Sequence, residues 1–313
     1  MRVIVTDYPW PDLDLEREIL AEAGHDLAAG RDVPGTAEDI EALVAANDPA
    51  AIMTCWAPLS DKAIATPRDL RIIQRLGVGL DNIDVGAATA RGVPVTNVPD
   101  YCAEEVSDHA IALMLAWARG LIPLDREVKG GTWNPAGASL RRVSTLTVGV
   151  LGFGAIGQRT AAKAAALEAK VLVHSRSYRG GAGYPSARLD EALAASDVVI
   201  INLPLTPETH HLFDEARLAV MKPGAFLINV SRGGIVDSVA LTQALAAGRL
   251  SGAGLDVAEG EPNPLPALVA RPDVILTPHV AFSSPTSIAE LRTRASQEVV
   301  RVLAGQPPLH RCN

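Results

Sequence analysis

Short β-branched runs alternate with longer Ala-, Leu- and Glu-rich segments through nearly the whole chain. The apolar runs predict strands at 2–6, 50–54, 71–75 and 93–96, then at 146–151, 170–174, 197–201, 225–229, 252–255 and 273–277. Several are continuous rather than alternating, the pattern of strands covered on both faces, as in a parallel sheet. Segments such as 189–195 and 238–247 read as short helices, and the repeated strand–helix units predict an α/β fold. The strands fall into two groups. Between them Val106, Ala110, Leu113 and Trp117 recur at helical spacing and predict a helix over 104–119 that links two sheets. A last helix is predicted over 285–304.

Composition narrows the function classes. The 313 residues suffice for two domains, and 48% apolar content is enough for sizeable cores. With 28 Lys and Arg against 36 Asp and Glu the formal charge is −8, which argues against a nucleic acid or an anionic membrane as the main partner. Cys55, Cys102 and Cys312 are too few and too scattered for a disulfide framework or a Cys-rich zinc site, and they suit a reduced, cytoplasmic setting. No apolar run reaches the ~20 residues of a membrane helix. The chain has no H-E-x-x-H or C-x-x-C pair, so no metal is expected, and no G-x-x-x-x-G-K-[ST] loop that would suggest nucleotide hydrolysis.

One segment carries a cofactor signal. The strand at 146–151 runs into Gly152-Phe153-Gly154-Ala155-Ile156-Gly157, then a helical stretch, then the next strand at Lys170. In this G-x-G-x-x-G pattern Gly152 permits the tight turn, Gly154 lets backbone approach a pyrophosphate, and Gly157 lets helix and strand pack closely. N–H groups at the helix start then face the anion. The next strand ends His174-Ser175-Arg176-Ser177. An NAD site expects an acidic residue near here, and none precedes Asp190. Arg176 can instead pair with a 2′-phosphate, with Ser175 leaving room, so NADP(H) is preferred and NAD(H) remains possible.

Three further segments end strands of the second group: Asn229-Val230-Ser231-Arg232, Asp256 followed by Glu261-Pro262, and Thr277-Pro278-His279. Ligands of open parallel sheets bind at that edge. Arg, Glu and His gathered there suit reduction of a keto acid, although singly each has a plainer reading: Arg232 on the surface, Glu261 in a turn, His279 in packing. Trp56, Trp117 and Trp133 read as packing anchors, His210-His211 as a solvated loop, His109 as structural, and Cys102 as an unreactive thiol.

With these stand Arg75-Leu-Gly77-Val78-Gly79-Leu-Asp81-Asn82, Asn97-Val-Pro99, Glu105-Val106-Ser107-Asp108-His109-Ala110, Gly131-Thr-Trp133 and Leu203-Pro204-Leu-Thr-Pro-Glu-Thr209. Together they resemble the D-isomer-specific 2-hydroxyacid dehydrogenase family over almost the whole chain. Tyr101, Glu104-Glu105, Leu140-Arg141-Arg142 and the ending Leu309-His-Arg-Cys312-Asn313 are similar to the branch that includes the C-terminal-binding proteins. This chain has Ser175 and Phe282 where that branch has an acidic residue and often Trp.

The resemblance implies a doubly wound Rossmann nucleotide domain at 101–280, inserted in a smaller flavodoxin-like α/β substrate domain at 1–100 and 281–313, with substrate in the cleft between them. It implies His279 as acid and base, Glu261 as its partner, and Arg232 on the carboxylate and carbonyl of a small 2-keto or 2-hydroxy acid. Val78 and Gly79 would bind the carboxylate through backbone N–H groups, beside Arg232 and His279. The cofactor would touch Val106, Gly152, Phe153, Gly154, Ala155, Ile156, Gly157, Ser175, Arg176, Ser177, Leu203, Pro204, Thr209, Val230, Ser231, Arg232, Asp256, His279 and Ala281, with Asp256 on the nicotinamide carboxamide. A homodimer is implied along the linking-helix face. Two alternatives stay open: a cofactor-sensing binding module like the C-terminal-binding proteins, and a phosphite-type dehydrogenase that keeps the same three residues. Formate enzymes carry Gln at the Glu261 position, which disfavours that activity.

Overall fold

The computed structural model describes residues 1–181 and 183–313. The chain divides into two compact units, Met1–Tyr101 with Ser284–Asn313, and Cys102–Ser283.

The first unit holds five parallel strands: β1 Arg2–Asp7, β2 Asp26–Arg31, β3 Ala51–Thr54, β4 Ile72–Arg75 and β5 Val95–Thr96, in the order β2-β1-β3-β4-β5. Ile4, Ile52, Ile73 and Val95 put fully buried side chains into one core. β2 escapes the sequence pattern. Asp-Leu-Ala-Ala-Gly-Arg has no β-branched residue, and pairing along β1 makes the strand rather than its own propensity. Gly30 allows that pairing, since a Cβ there would lie 2.1 Å from the Thr6 carbonyl oxygen.

The last helix, Pro285–Leu303, starts at a Ser284 cap and packs on helix Asp14–Glu22 and on β4. It buries Leu291, Ala295, Val299 and Leu303. Its Arg292 reaches the fully buried Glu16 at 2.7 and 2.8 Å and also meets Asp12. A buried carboxylate needs such a partner, because desolvation alone would be costly. Beyond the helix, Arg311 bridges antiparallel to Thr96, and the Asn313 side chain accepts the Val95 N–H at 2.9 Å. The tail therefore covers the edge of the two-residue strand β5.

The second unit holds six parallel strands: β6 Thr147–Leu151, β7 Lys170–His174, β8 Val198–Ile201, β9 Ala225–Asn229, β10 Leu250–Leu255 and β11 Val274–Leu276. Their order is β11-β10-β9-β8-β6-β7. The chain steps from β6 to β7 on one side and then returns to β8 on the other, so the topological switch lies between β6 and β8. All four residues of β8 are buried, as its continuous apolar run predicts. Helix Ala103–Ala118 lies against helix Ala155–Ala166 and β9. Among the described residues no helix is long and apolar enough to cross a membrane.

Trp117 is the packing anchor its spacing predicts. It stacks on Phe226 with centroids 4.9 Å apart, and its indole donates to Ser251 at 3.1 Å. Trp133 corrects the same expectation, because its side chain is 83% exposed. It follows helix Leu121–Lys129, in which no residue is buried.

Candidate active site

The Gly-rich turn lies at the topological switch, at the carboxyl end of β6. Gly152 has φ +94°, a backbone that L side chains avoid, and a Cβ would sit 2.1 Å from the Asn202 carbonyl oxygen. A Cβ on Gly157 would sit 2.1 Å from the Gly152 carbonyl oxygen, so helix and turn touch. Gly154 faces open space instead. It caps helix Ala155–Ala166 without any side-chain hydrogen bond, which leaves the first N–H groups of Ala155, Ile156 and Gly157 to a ligand. This cradle fits a dinucleotide diphosphate. Phe153, within the turn, packs at a tilt against Tyr178, with centroids 4.3 Å apart.

Around this turn, Ser175 is half-buried, while Arg176 and Ser177 are exposed. The Thr206 hydroxyl, the Glu208 backbone N–H and the Arg176 guanidinium together hold the Glu208 carboxyl below its ordinary range. Arg176 thus has an acidic neighbour that a phosphate would have to share. Leu203 and Pro204 lead into a loop pinned by Thr209, whose hydroxyl donates to the Pro204 carbonyl at 2.6 Å. Val106 is buried on the first turn of the Ala103–Ala118 helix.

Three adjacent strand ends carry the charged residues. After β9 the Asn229 side chain accepts the Ser231 N–H at 3.0 Å and donates to the Arg232 carbonyl at 2.8 Å, which shapes the Val230–Arg232 bend. A Cβ on Gly233 would meet the Ala258 carbonyl carbon at 2.2 Å, so the Arg232 segment is pressed against the one that leads to Glu261. After β11, His279 Nδ1 lies 3.1 Å from Glu261 Oε2, with the two side chains 25% and 37% exposed. His279 has φ +54°. Left-handed backbone costs a non-glycine residue ~1–2 kcal/mol, so the surroundings must hold it there. The ring of Phe282 stands edge-on to His279 at 6.3 Å.

Asp256 is 2% exposed, and its carboxylate already accepts the Thr277 hydroxyl and the N–H groups of Val280 and Ala281. His211 corrects the expectation of a solvated loop. It is half-buried, pairs with Glu259 at 2.6 Å and stacks on His210. His210, His211 and Glu259 also bring ligand-type atoms within 4.8 Å of one another. The His109–Thr277 contact and the His211–Glu259 pair join residues far apart in sequence, and no local pattern announces either.

In the first unit, Val78 is 42% exposed, and its carbonyl accepts the Asn97 side chain at 2.8 Å. The buried Arg75 guanidinium lies under this turn, where a Cβ on Gly77 would meet it at 2.8 Å. Asp7, fully buried, accepts the N–H groups of Cys55, Trp56 and Ala57 and sets the neighbouring bend.

Comparison with known proteins agrees with this geometry. Residues 111–281, more than half of the chain, match the model of the D-isomer specific 2-hydroxyacid dehydrogenase, NAD binding domain. A glyoxylate reductase of Pyrococcus furiosus is 41% identical over 239 residues, 72% of this chain and 71% of that one. The crystal structure of the TT0316 protein from Thermus thermophilus superposes with a TM-score of 0.91 at 33% identity over all of both chains. An acyclic imino acid reductase in complex with NADPH and D-Arg superposes with a TM-score of 0.89 at 25% identity, again over all of both chains. The chain belongs to the D-isomer-specific 2-hydroxyacid dehydrogenase family, and is an oxidoreductase of two parallel-sheet α/β units, one of them Rossmann-like.

Proposed function

We propose that the chain is an NADP(H)-preferring reductase of small 2-keto acids, working in reverse as a D-2-hydroxyacid dehydrogenase. The observation that carries this is the His279–Glu261 contact of 3.1 Å on strand ends next to Arg232. The bound dinucleotide supplies the hydride for the carbonyl carbon, or takes it back in reverse. Arg232 binds the carboxylate and polarises the carbonyl, where negative charge grows. The N–H groups of Val78 and Gly79 bind the carboxylate oxygens. With Nδ1 on Glu261, Nε2 of His279 is the nitrogen that gives the alkoxide its proton. Glu261 orients the ring. In the oxidative direction neutral His279 removes the hydroxyl proton.

On the adenosine side, Arg176 pairs with the 2′-phosphate. A charge-assisted hydrogen bond contributes about 1.5–3 kcal/mol, or roughly 10–150-fold. Phe153, Ser175, Ser177, Leu203, Pro204, Thr209, Val230, Ser231 and Ala281 complete the cofactor surface. The reading includes a homodimer in the cytoplasm. Exposed Leu121, Ile122, Val128 and Trp133 supply the apolar face for a second copy.

The test is turnover of glyoxylate, hydroxypyruvate and phenylpyruvate with NADPH and with NADH. Faster reduction with NADPH is expected. His279→Ala should lower turnover about 10²–10⁴-fold while cofactor still binds. Tight cofactor binding without turnover of any keto acid would overturn the enzyme reading in favour of a cofactor-sensing binding module. Light scattering checks the dimer, and a monomer at micromolar concentration would remove it.

A further inference from the structure

Asp256 holds more of the chain than a ligand contact requires. Oδ1 accepts the Thr277 hydroxyl at 2.6 Å and the Val280 N–H at 2.9 Å, and Oδ2 accepts the Ala281 N–H at 2.9 Å. Its backbone carbonyl accepts the His279 N–H at 2.8 Å. Three consecutive N–H groups of the strap that carries His279 therefore end on one buried residue. That is what keeps His279 in its left-handed backbone.

A second histidine stands behind this anchor. His109, on the Ala103–Ala118 helix, has Nε2 2.9 Å from Thr277 Oγ1 and 3.6 Å from Asp256 Oδ1. An ionised carboxylate only accepts, so Thr277 gives its one hydroxyl proton to Asp256. His109 Nε2 must then donate to Thr277, which assigns the proton to that nitrogen. The helix fixes the approach: Leu113, one turn on from His109, packs where a Cβ on Gly254 of β10 would be 3.2 Å away.

We propose that His109 is a positioning residue for the reaction. Its N–H holds the Thr277 hydroxyl on Asp256, and Asp256 holds the strap so that His279 meets Glu261. The inference rests on His279 being the acid and base. His109 acts through Thr277 and Asp256 rather than on the substrate. Its loss should therefore slow the chemical step and leave binding intact.

The experiment compares kcat, KM, cofactor Kd from nucleotide fluorescence, and Tm in His109→Leu, His109→Gln, Thr277→Val, Thr277→Ser and His279→Ala. His109→Leu and Thr277→Val should each lose about ten- to a hundred-fold in kcat, the scale of an ångström-sized misplacement, with KM and Kd within about two-fold. Gln places an N–H near the position of Nε2, and Ser keeps the hydroxyl. Both should recover most of the rate. His109→Leu with a native kcat would overturn the relay, as would His109→Gln as slow as His109→Leu, which marks a packing role. Should His109→Leu fail to fold, the Thr277→Val and Thr277→Ser pair decides by the same criteria. His279→Ala separates the two ideas. Its near-normal turnover refutes the acid assignment, whereas its loss of turnover beside an unaffected Thr277→Val refutes the relay alone.

Discussion

Replacing Gly233 by alanine tests how the Arg232 and Glu261 segments are joined. The added Cβ would lie 2.2 Å from the Ala258 carbonyl carbon, 2.3 Å from its oxygen and 2.5 Å from the Glu259 nitrogen. Carbon contacts are optimal near ~3.5–4.0 Å, so the two backbones must part by on the order of 1 Å. Both neighbours are backbone, so no side chain can swing away. Overpacking of this kind costs about 1–3 kcal/mol, or several degrees of Tm in a unit of this size. Arg232 is the adjacent residue and moves with the shift. A displacement of about 1 Å can cost roughly 10²-fold in rate. The next position supplies the control. A Cβ on Gly234 would meet only Leu205 at 3.5 Å and His210 at 3.7 Å, ordinary contact distances, and neither glycine has positive φ. Keto acid reduction and thermal unfolding of the two variants should therefore diverge sharply. Gly233→Ala matching Gly234→Ala in both kcat and Tm would refute the close-approach argument.

Arg176→Ala should weaken NADPH roughly 10–150-fold and leave NADH nearly unchanged, and equal loss for both in fluorescence titration would end the 2′-phosphate assignment. Glu208→Gln should tighten NADPH about two-fold by releasing Arg176 from its acidic neighbour, and weaker NADPH binding would contradict that. Burial pushes the Cys55 thiol up to about 12, so iodoacetamide at pH 8 should label it only after unfolding; rapid labelling of native protein, read by mass spectrometry, would show the site to be open. Arg159 and Lys163 hold the Glu104 carboxyl below its ordinary value of 4.5. The folded-state pKa is the lower one, so this contribution is complete above the unfolded value and is lost as pH falls through the folded one. Glu104→Gln should thus lower Tm slightly at pH 7 and not at all at strongly acid pH, the effect being small because the side chain is 60% exposed.

Legibility from sequence followed the locality of the signal. β8 and β9 are buried on both faces, so their apolar runs announced them, and the Gly-rich turn was readable because each glycine has its own steric duty. Arg232, Glu261 and His279 stood out only through the resemblance, since each alone is an ordinary strand-end residue. β2 was hidden because its partner strand, not its composition, makes it extended. Trp133 misled for the opposite reason: large aromatic side chains usually enter a core, and this one lies 83% exposed beyond a helix in which no residue is buried. The contacts of His109 with Thr277 and of His211 with Glu259 span 168 and 48 residues, and only folding brings such partners together.

The first unit is assembled from both ends of the chain, and this orders events on the ribosome. At about 5–20 residues per second, some 200 residues separate the emergence of Tyr101 from that of the Pro285–Leu303 helix, a wait of roughly 10–40 s. For that interval the surface that will receive Leu291, Ala295 and Val299 is bare, and Glu16 has no Arg292 beside it. The nucleotide-binding unit, contiguous from Cys102 to Ser283, can close first. Nascent chains stalled shortly before Ser284 should therefore expose to chaperones an amino-terminal sheet that still lacks its covering helix, while already holding a folded Rossmann-like unit.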